Sequence, residues 1–412
     1  MKGKLFSHEP LIAIDVGTTK ICVLVAQQTG AESIELIGVG KAPSDGLSKG
    51  VVVDINKTIR SIKKAKEEAE LMAGISIESA CIGISGSHIH SINSQGVVPI
   101  KRKEVTHEDI KHVLESAKAV ALPEGQQILH VLPQYYIIDG QDKVRDPLGM
   151  HGVRLEAQVH IITGSISSVQ NLVKCCEQAD IKVTDIVLEQ LASALAVLSP
   201  DERTLGVGIL DIGGGTSDFA LYHNNSIIHT MVLPIAGNHF TNDLALGLRI
   251  TLEDAECIKK TCGFAYQHDF QEGIVQVESV QGGVHKQVTL SALGSILMPR
   301  AEELFLLINK ELKKYSFKPL MPAGLVLTGG GALLEGMQEL AEKIFEMPVR
   351  IGRPRADNKL LLESLDHPKY ATGYGLLLHV IAHNKDSSLH ALQGALLQRL
   401  AARMKTWVSD FF

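Results

Sequence analysis

The octapeptide Asp211-Ile212-Gly213-Gly214-Gly215-Thr216-Ser217-Asp218, set between the apolar runs Val207 to Leu210 and Phe219 to Tyr222, constrains this chain more than any other stretch. It reads as a hairpin built to grip phosphate. Glycines have no Cβ, so the turn can take positive φ and bring its backbone N–H groups within reach of an anion. Thr216 and Ser217 add hydroxyl donors. Asp211 lies where the strand ends, and a carboxylate beside phosphate is repelled unless a hydrated Mg²⁺ stands between them. The motif therefore implies a nucleotide with metal. The competing reading is a hairpin whose glycines only make a turn, and three glycines exceed what a turn requires.

A near copy lies far upstream. Leu11 to Ile14 is a short apolar strand running into Asp15-Val16-Gly17-Thr18-Thr19-Lys20, and Ile21 to Ala26 returns as a second strand. Two such turns predict two related halves, each giving one phosphate hairpin. Lys20 places a point charge against phosphate oxygens. A third element follows a strand at Leu325 to Leu327: Thr328-Gly329-Gly330-Gly331-Ala332, then a helical stretch from Leu333 to Phe345. Glycines at a strand-to-helix turn let backbone approach a ligand closely, here on the adenosine side.

Two aspartate-led loops and a glycine-rich loop in this order resemble the actin, Hsp70 and sugar-kinase ATPase superfamily, and within it the FtsA family of bacterial actin-like cell-division proteins. The matching stretches run through nearly the whole chain: Ile37 to Gly40, Gly50 to Val52, Glu70 to Ala73, Gly152 to Arg154, Ala236 to Asn238 and Val349 to Gly352. The resemblance implies an α/β, two-lobed actin-like ATPase fold with an inserted small α+β subdomain and a C-terminal amphipathic helix. Residues 1–84 and 163–198 would form subdomain 1A and 85–162 the insert 1C. Residues 199–231 and 316–383 would form 2A, and 232–315 would form 2B. ATP and Mg²⁺ would be held by Asp15, Gly17, Thr18, Thr19, Lys20, Asp211, Gly213, Gly214, Gly215, Thr216, Gly237, Asn238 and Gly329 to Gly331. Asp15 and Asp211 would reach the metal through water. Glu256 and Lys259 would face the ribose and adenine, where a carboxylate accepts hydroxyl protons, with a plain solvated face as the alternative.

Val187 to Ala194 opens a helix similar to the superfamily's first connecting helix, beside the γ-phosphate. Glu189 or Gln190 there would orient an attacking water, with Glu189 the candidate in catalysis. A carboxylate that only favours a helix start competes with it. His367 to Gly375 resembles the second connecting helix, whose small residues allow close packing at the hinge. The insert would make filament contacts and bind later division proteins. Subdomain 2B would receive the C-terminal peptide of the tubulin-like FtsZ, acidic and apolar in the family, with Arg300 as a contact beside lysines such as Lys310.

Elsewhere the residues speak for themselves. Asn56 to Gly74 carries Ile59, Ile62, Ala65, Ala69 and Met72 at helical spacing. Thr106 starts a helix to Ala119 with Glu108 and Asp109 in its first turn. Ser291 to Tyr315 reads as mainly helix, interrupted near Pro299. His88 and His90 would share one side of a strand, and His379 and His383 one side of a helix. Neither pair has a third ligand nearby, so both read as structural.

A formal net charge of −6 argues against a general nucleic-acid binder. Six cysteines without a C-x-x-C pair show no disulfide framework or zinc site, which fits a reducing cytoplasm. No uninterrupted apolar run approaches the length of a spanning helix. The tail is different. After a polar linker at 384–391, residues 392–412 wind at about 100° per residue into an amphipathic helix. Leu392, Leu396, Leu397, Leu400, Met404, Trp407, Val408 and Phe411 fall on one half, with Gln398, Arg399, Lys405, Thr406 and Ser409 opposite. The only tryptophan lies on the apolar half, near the end. Its ring suits a headgroup boundary, so the helix is expected to lie in a membrane surface, with packing back on the body as the alternative; the FtsA resemblance implies the inner face of the cytoplasmic membrane at the division site.

The motifs together with the FtsA resemblance thus imply an ATP-binding scaffold that polymerises and anchors the FtsZ ring, with at most slow ATP hydrolysis. A sugar kinase would need an acidic base facing a polar sugar pocket, and a pilus-assembly relative should lack the tail. An Hsp70 chaperone would need a long peptide-binding domain after the second lobe.

Overall fold

A computed structural model describes residues 10–28, 34–266, 273–278, 285–355 and 365–383. The linker and the amphipathic segment, including Leu392, Leu396, Leu397, Leu400, Met404, Trp407, Val408 and Phe411, lie outside the described residues. Among the described residues no helix is long and apolar enough to cross a membrane. All six cysteines are free.

The chain begins with the meander β1 (Leu11–Val16), β2 (Lys20–Gln28) and β3 (Ile34–Pro43). A small ribbon of β4 (Leu47–Ser48) and β5 (Val51–Val52) leads to α1 (Ile55–Ala73) and then β6 (Ser79–Ile84). The side chain of Asp54 caps α1 by accepting from Lys57 N–H, and Gly74 ends it at φ 69°. Ile62, Ala65 and Ala69 are buried as their spacing predicts, but Met72 is 63% exposed. The glycines of Ile37 to Gly40 explain how closely α1 lies on β3. A Cβ on Gly40 would stand 1.8 Å from the Ala65 carbonyl oxygen.

The insert is β7 (His90–Pro99), α2 (His107–Lys118), β8 (Gln126–Ile138) and β9 (Arg154–Ser165), a sheet of order β7-β9-β8 with its own apolar core against α2. Thr106 and Asp109 close a capping box at the start of α2. The chain then returns through α3 (Ile166–Glu177), with Cys175 and Cys176 buried, to β10 (Lys182–Leu188) and α4 (Glu189–Val197).

After α5 (Pro200–Leu205), the second lobe repeats the first with β11 (Val207–Ile212), β12 (Ser217–His223) and β13 (Ser226–Leu233). Helices α6 (Gly237–Leu248) and α7 (Leu252–Cys262) precede the ribbon β14 (Ile274–Glu278) and β15 (His285–Thr289). The long α8 (Leu290–Lys314) then leads to β16 (Leu325–Thr328), α9 (Met337–Phe345) and β17 (Val349–Ile351). A last helix occupies 371–383.

The sheet orders are β10-β6-β1-β2-β3 and β13-β12-β11-β16-β17. In each, an antiparallel meander is extended on its first strand by two parallel strands. The two lobes are therefore one architecture used twice, and each hairpin joins the first two strands of its sheet.

Two expectations need correction. Helix α8 runs unbroken through Pro299; the proline removes one i→i−4 bond, but buried Leu297, Ala301, Leu304 and Phe305 hold both halves against one core. Residues 333–345 do not form one helix either. A 3₁₀ turn at Gly330–Leu333 is separated from α9 by Gly336 at φ 78°, where a Cβ would strike the Tyr266 carbonyl oxygen at 2.2 Å.

Arg350 of β17 grips Glu202 of α5, Nε to Oε1 at 2.7 Å and a second nitrogen to Oε2 at 2.8 Å, and also donates to the Val197 carbonyl. Burial works against the Glu202 carboxylate, but Arg350 and Ser199 outweigh it and hold the pKa down at about 2. A depressed pKa adds stability that is complete above the usual value of 4.5 and is lost as pH falls through about 2. Glu202→Gln should therefore flatten the acid limb over that window, by about 1 to 2 kcal/mol after allowing for solvent screening. Urea unfolding at pH 5 and pH 3 reads the difference.

Candidate functional site

The two hairpins are closed by the same bond. Gly17 N–H donates to the Lys20 carbonyl at 3.1 Å, and Gly213 N–H to the Thr216 carbonyl at 2.9 Å. Thr18-Thr19 and Gly214-Gly215 form the tips, and the tips face each other. A Cβ on Gly214 would lie 2.2 Å from Thr19 Cγ2, and one on Gly215 2.4 Å from Thr18 Oγ1. None of Gly213, Gly214 and Gly215 adopts positive φ. Gly214 and Gly215 are needed for space against the opposite lobe, not for backbone conformation, which corrects the reason offered from sequence.

Helix α6 orients the second hairpin. Gly237 N–H donates to the Gly213 carbonyl at 3.0 Å and Asn238 N–H to the Gly214 carbonyl at 2.8 Å. In a trans peptide the C=O and N–H point opposite ways. Tying these carbonyls back to α6 therefore turns the N–H groups of Gly214 and Gly215 toward the cleft. The Thr18 hydroxyl accepts from Gly50 N–H at 3.1 Å, which pins the ribbon after β3 on the first hairpin. Gly329, at φ 83°, packs on the second hairpin, where a Cβ would meet Asp211 Oδ1 at 2.3 Å. Gly331 lies against Ile212, while Gly330 faces open space.

Carboxylates crowd this junction. Asp15 and Lys20 pair at 2.8 Å, and although burial opposes the ammonium, Asp15 keeps the Lys20 pKa raised. Burial raises Asp211 against hydrogen bonds from Ser193 and Thr372, with Asp15 adding to the rise. Burial also pushes Asp218 up to about 7, although Ser85 donates to its carboxylate. Glu189, at the first turn of α4, is held well above the usual carboxylate range by burial and then by Asp15, Asp218 and Asp211. Asp15, Asp211 and Glu189 share the charge of Lys20, and Asp218 adds a fourth carboxyl group beside them. Hydroxyl and N–H donors at the tips with an excess of negative charge behind them fit a phosphate chain carrying a divalent cation.

Glu256 and Lys259 lie beside this site but hold each other. Lys259 Nζ donates to the Gly237 carbonyl at 3.0 Å, to Thr241 Oγ1 at 2.9 Å and to Glu256 Oε2. Glu256 Oε1 takes Lys260 at 2.9 Å, so both carboxylate oxygens have partners. Arg300 stands apart from the hairpins, paired through Nε with Asp243 at 2.6 Å and also with Glu303. His90 opens β7 while His88 lies in the turn before it, so the two do not share a strand. His379 binds Asp185 at 2.8 Å and stacks on His383. Among the described residues no group of three ligating side chains could hold a metal.

Four residues of the site were given no role of their own by the sequence reading: Ser85, Ser193, Asp218 and Thr372. Ser85, just after β6 of the first lobe, reaches Thr216 Oγ1 at 3.2 Å and Asp218 in the second, a direct interlobe link. A signal existed for Asp218. It pairs with Asp211 across its hairpin as Cys22 pairs with Asp15, the same register in both copies.

Comparison with known proteins decides the family. The profile "SHS2 domain inserted in FTSA" matches residues 86–163 and "Cell division protein FtsA" matches 208–375. The cell division protein FtsA of Pseudomonas aeruginosa is 44% identical over 414 residues, covering 98% of this chain and 99% of that protein. The chain belongs to the FtsA family of cell-division proteins. FtsA of Escherichia coli strain K12 is 37% identical, over 98% of this chain and 97% of its own length. FtsA of Bacillus subtilis is 38% identical, over 90% of this chain and 83% of its own. Among solved structures, a PilM-PilN type IV pilus biogenesis complex gives a TM-score of 0.66 at 16% identity, covering 91% of this chain and 99% of that one. MreB5 of Spiroplasma citri bound to ADP gives 0.56 at 15% identity, covering 92% and 98%. These likenesses are of fold, and they make the fold actin-like. The sugar-kinase reading has no support beside the FtsA match, and the likeness to the pilus protein is one of architecture.

Proposed function

We propose that this FtsA-family chain binds ATP with Mg²⁺ between its two hairpins, polymerises, and tethers the FtsZ ring to the inner face of the cytoplasmic membrane while recruiting later division proteins. The observation that carries the nucleotide part is the meeting of Thr18-Thr19 with Gly214-Gly215, one tip from each lobe. The MreB5 neighbours, solved with ADP and with AMPPNP, support the same reading.

In this reading the N–H groups of the tips and the Lys20 ammonium bind phosphate oxygens. Mg²⁺, when bound, screens the phosphates from Asp15 and Asp211. Thr18 and Ser85 close the lobes around the chain of phosphates, Gly329 to Gly331 flank the adenosine, and Glu256 and Lys259 wall the ribose side. Glu189 faces the terminal phosphate as the group that positions water. The insert would serve filament contacts and later division proteins, and the 2B segment would take the FtsZ peptide. Arg300 brings only part of its charge to that contact, because Asp243 and Glu303 already share it.

Burying Trp407, Phe411 and the leucines of the tail contributes at most ~1.5 to 3 kcal/mol each, less the entropy of ordering the segment. Single-copy attachment is then reversible, while a filament carrying many tails holds firmly by multivalency. Flotation with vesicles of anionic phospholipid is expected to carry the full chain upward and leave a chain ending at Asn384 behind. Equal flotation of the two would reject the tether.

A further inference from the structure

Resting on the nucleotide reading above, we propose that Ser193 and Thr372 are positioning residues that aim the Asp211 carboxylate at the metal and tie its aim to the angle between the lobes.

The two aspartates that lead the hairpins are held in different ways. Asp15 is paired inside its own turn by Lys20. Asp211 has Thr216 at the corresponding place, and its support comes from elsewhere. Thr372 Oγ1 donates to Asp211 Oδ2 at 3.0 Å, Ser193 Oγ donates to the same oxygen, and the two hydroxyls lie 3.1 Å apart. All three side chains are buried. Neutral donors fix the direction of a carboxylate without cancelling its charge, which remains available to a cation. With Oδ2 doubly bonded and Gly329 packed against Oδ1, the carboxylate is held in one orientation.

The donors sit on the two helices that pass between the lobes, Ser193 on α4 and Thr372 on the helix at 371–383. These helices touch backbone to backbone, since a Cβ on Gly375 would lie 1.8 Å from the Ala192 carbonyl oxygen. Ala192 is the neighbour of Ser193, and Gly375 is within one turn of Thr372. A rotation about this crossing parts two hydroxyls that share one acceptor atom, so one bond must lengthen and the carboxylate must turn. Lobe angle and metal grip then change together, and by linkage a bound metal biases the angle.

The test is nucleotide affinity by isothermal titration calorimetry with ATP, in Mg²⁺ and in EDTA, for the full chain and for Ser193→Ala, Thr372→Val and Thr372→Ser. Each of the first two is expected to weaken binding about tenfold in Mg²⁺, the scale of one hydrogen bond to a charged group, and to leave affinity in EDTA within about twofold. Thr372→Ser keeps the hydroxyl and should restore Mg²⁺-dependent affinity. Equal losses with and without Mg²⁺, or loss in Thr372→Ser as large as in Thr372→Val, would mean a purely structural role and overturn the proposal. If the unaltered chain binds ATP but neither hydroxyl matters, the proposal fails while the nucleotide reading stands. If the unaltered chain binds no nucleotide, both fall.

Discussion

Gly215→Val is expected to lower ATP affinity by about 100-fold or more, roughly 3 kcal/mol, while both lobes stay folded. A Cβ at this position meets Thr18 at 2.4 Å from Oγ1 and 2.8 Å from Cβ, and Thr18 is itself fixed by Gly50 N–H. Relief requires the hairpins to separate. Separation carries the Gly214 and Gly215 N–H groups away from the first lobe and undoes the two-sided grip on phosphate. Shortening the opposing side chain in the double variant Thr18→Gly, Gly215→Val should recover part of the loss. Calorimetry checks the affinities, and an unchanged far-ultraviolet spectrum checks the fold. Normal binding by Gly215→Val would mean that phosphate is not held between the tips.

A large loss of stability is expected at Gly375. Its Cβ would overlap the Ala192 carbonyl oxygen at 1.8 Å, and the obstacle is backbone in the middle of a helix. Gly375→Ala should therefore cost about 3 kcal/mol or more, since only parting the two connecting helices relieves it. Gly373, on the same helix, is the control. There a Cβ meets the end of the Leu24 side chain at 3.1 Å, which can move aside. Gly373→Ala should cost below about 1 kcal/mol. Denaturant unfolding of the two variants side by side measures the contrast, and similar losses at the two sites would contradict the close helix crossing.

The architecture was readable because its signals are local and repeated. An apolar strand ending in aspartate, a short turn and a returning strand occur twice, and each marks the middle of a sheet with the same strand order. Thr106, with Asp109 three residues on, announced the insert's helix in the same local way. What stayed hidden depends on distant partners. Nothing near Ser193 or Thr372 in sequence shows that their hydroxyls meet on Asp211, and Ser85 gains its meaning only from Asp218 in the other lobe. Gly214 and Gly215 were recognised for a reason that proves wrong, because the space they leave is taken by Thr19 and Thr18 from the first hairpin. Pro299 misled in the opposite sense: a local helix breaker is overridden by a buried apolar face on both sides of it.

The most direct measurement is a crystal structure with AMPPNP and Mg²⁺ at saturating concentration. Phosphates lying between Thr18-Thr19 and Gly214-Gly215, with the metal between Asp15 and Asp211, are the predicted result. Nucleotide bound elsewhere, or an empty junction in a crystal whose lobes are free to close, would contradict it.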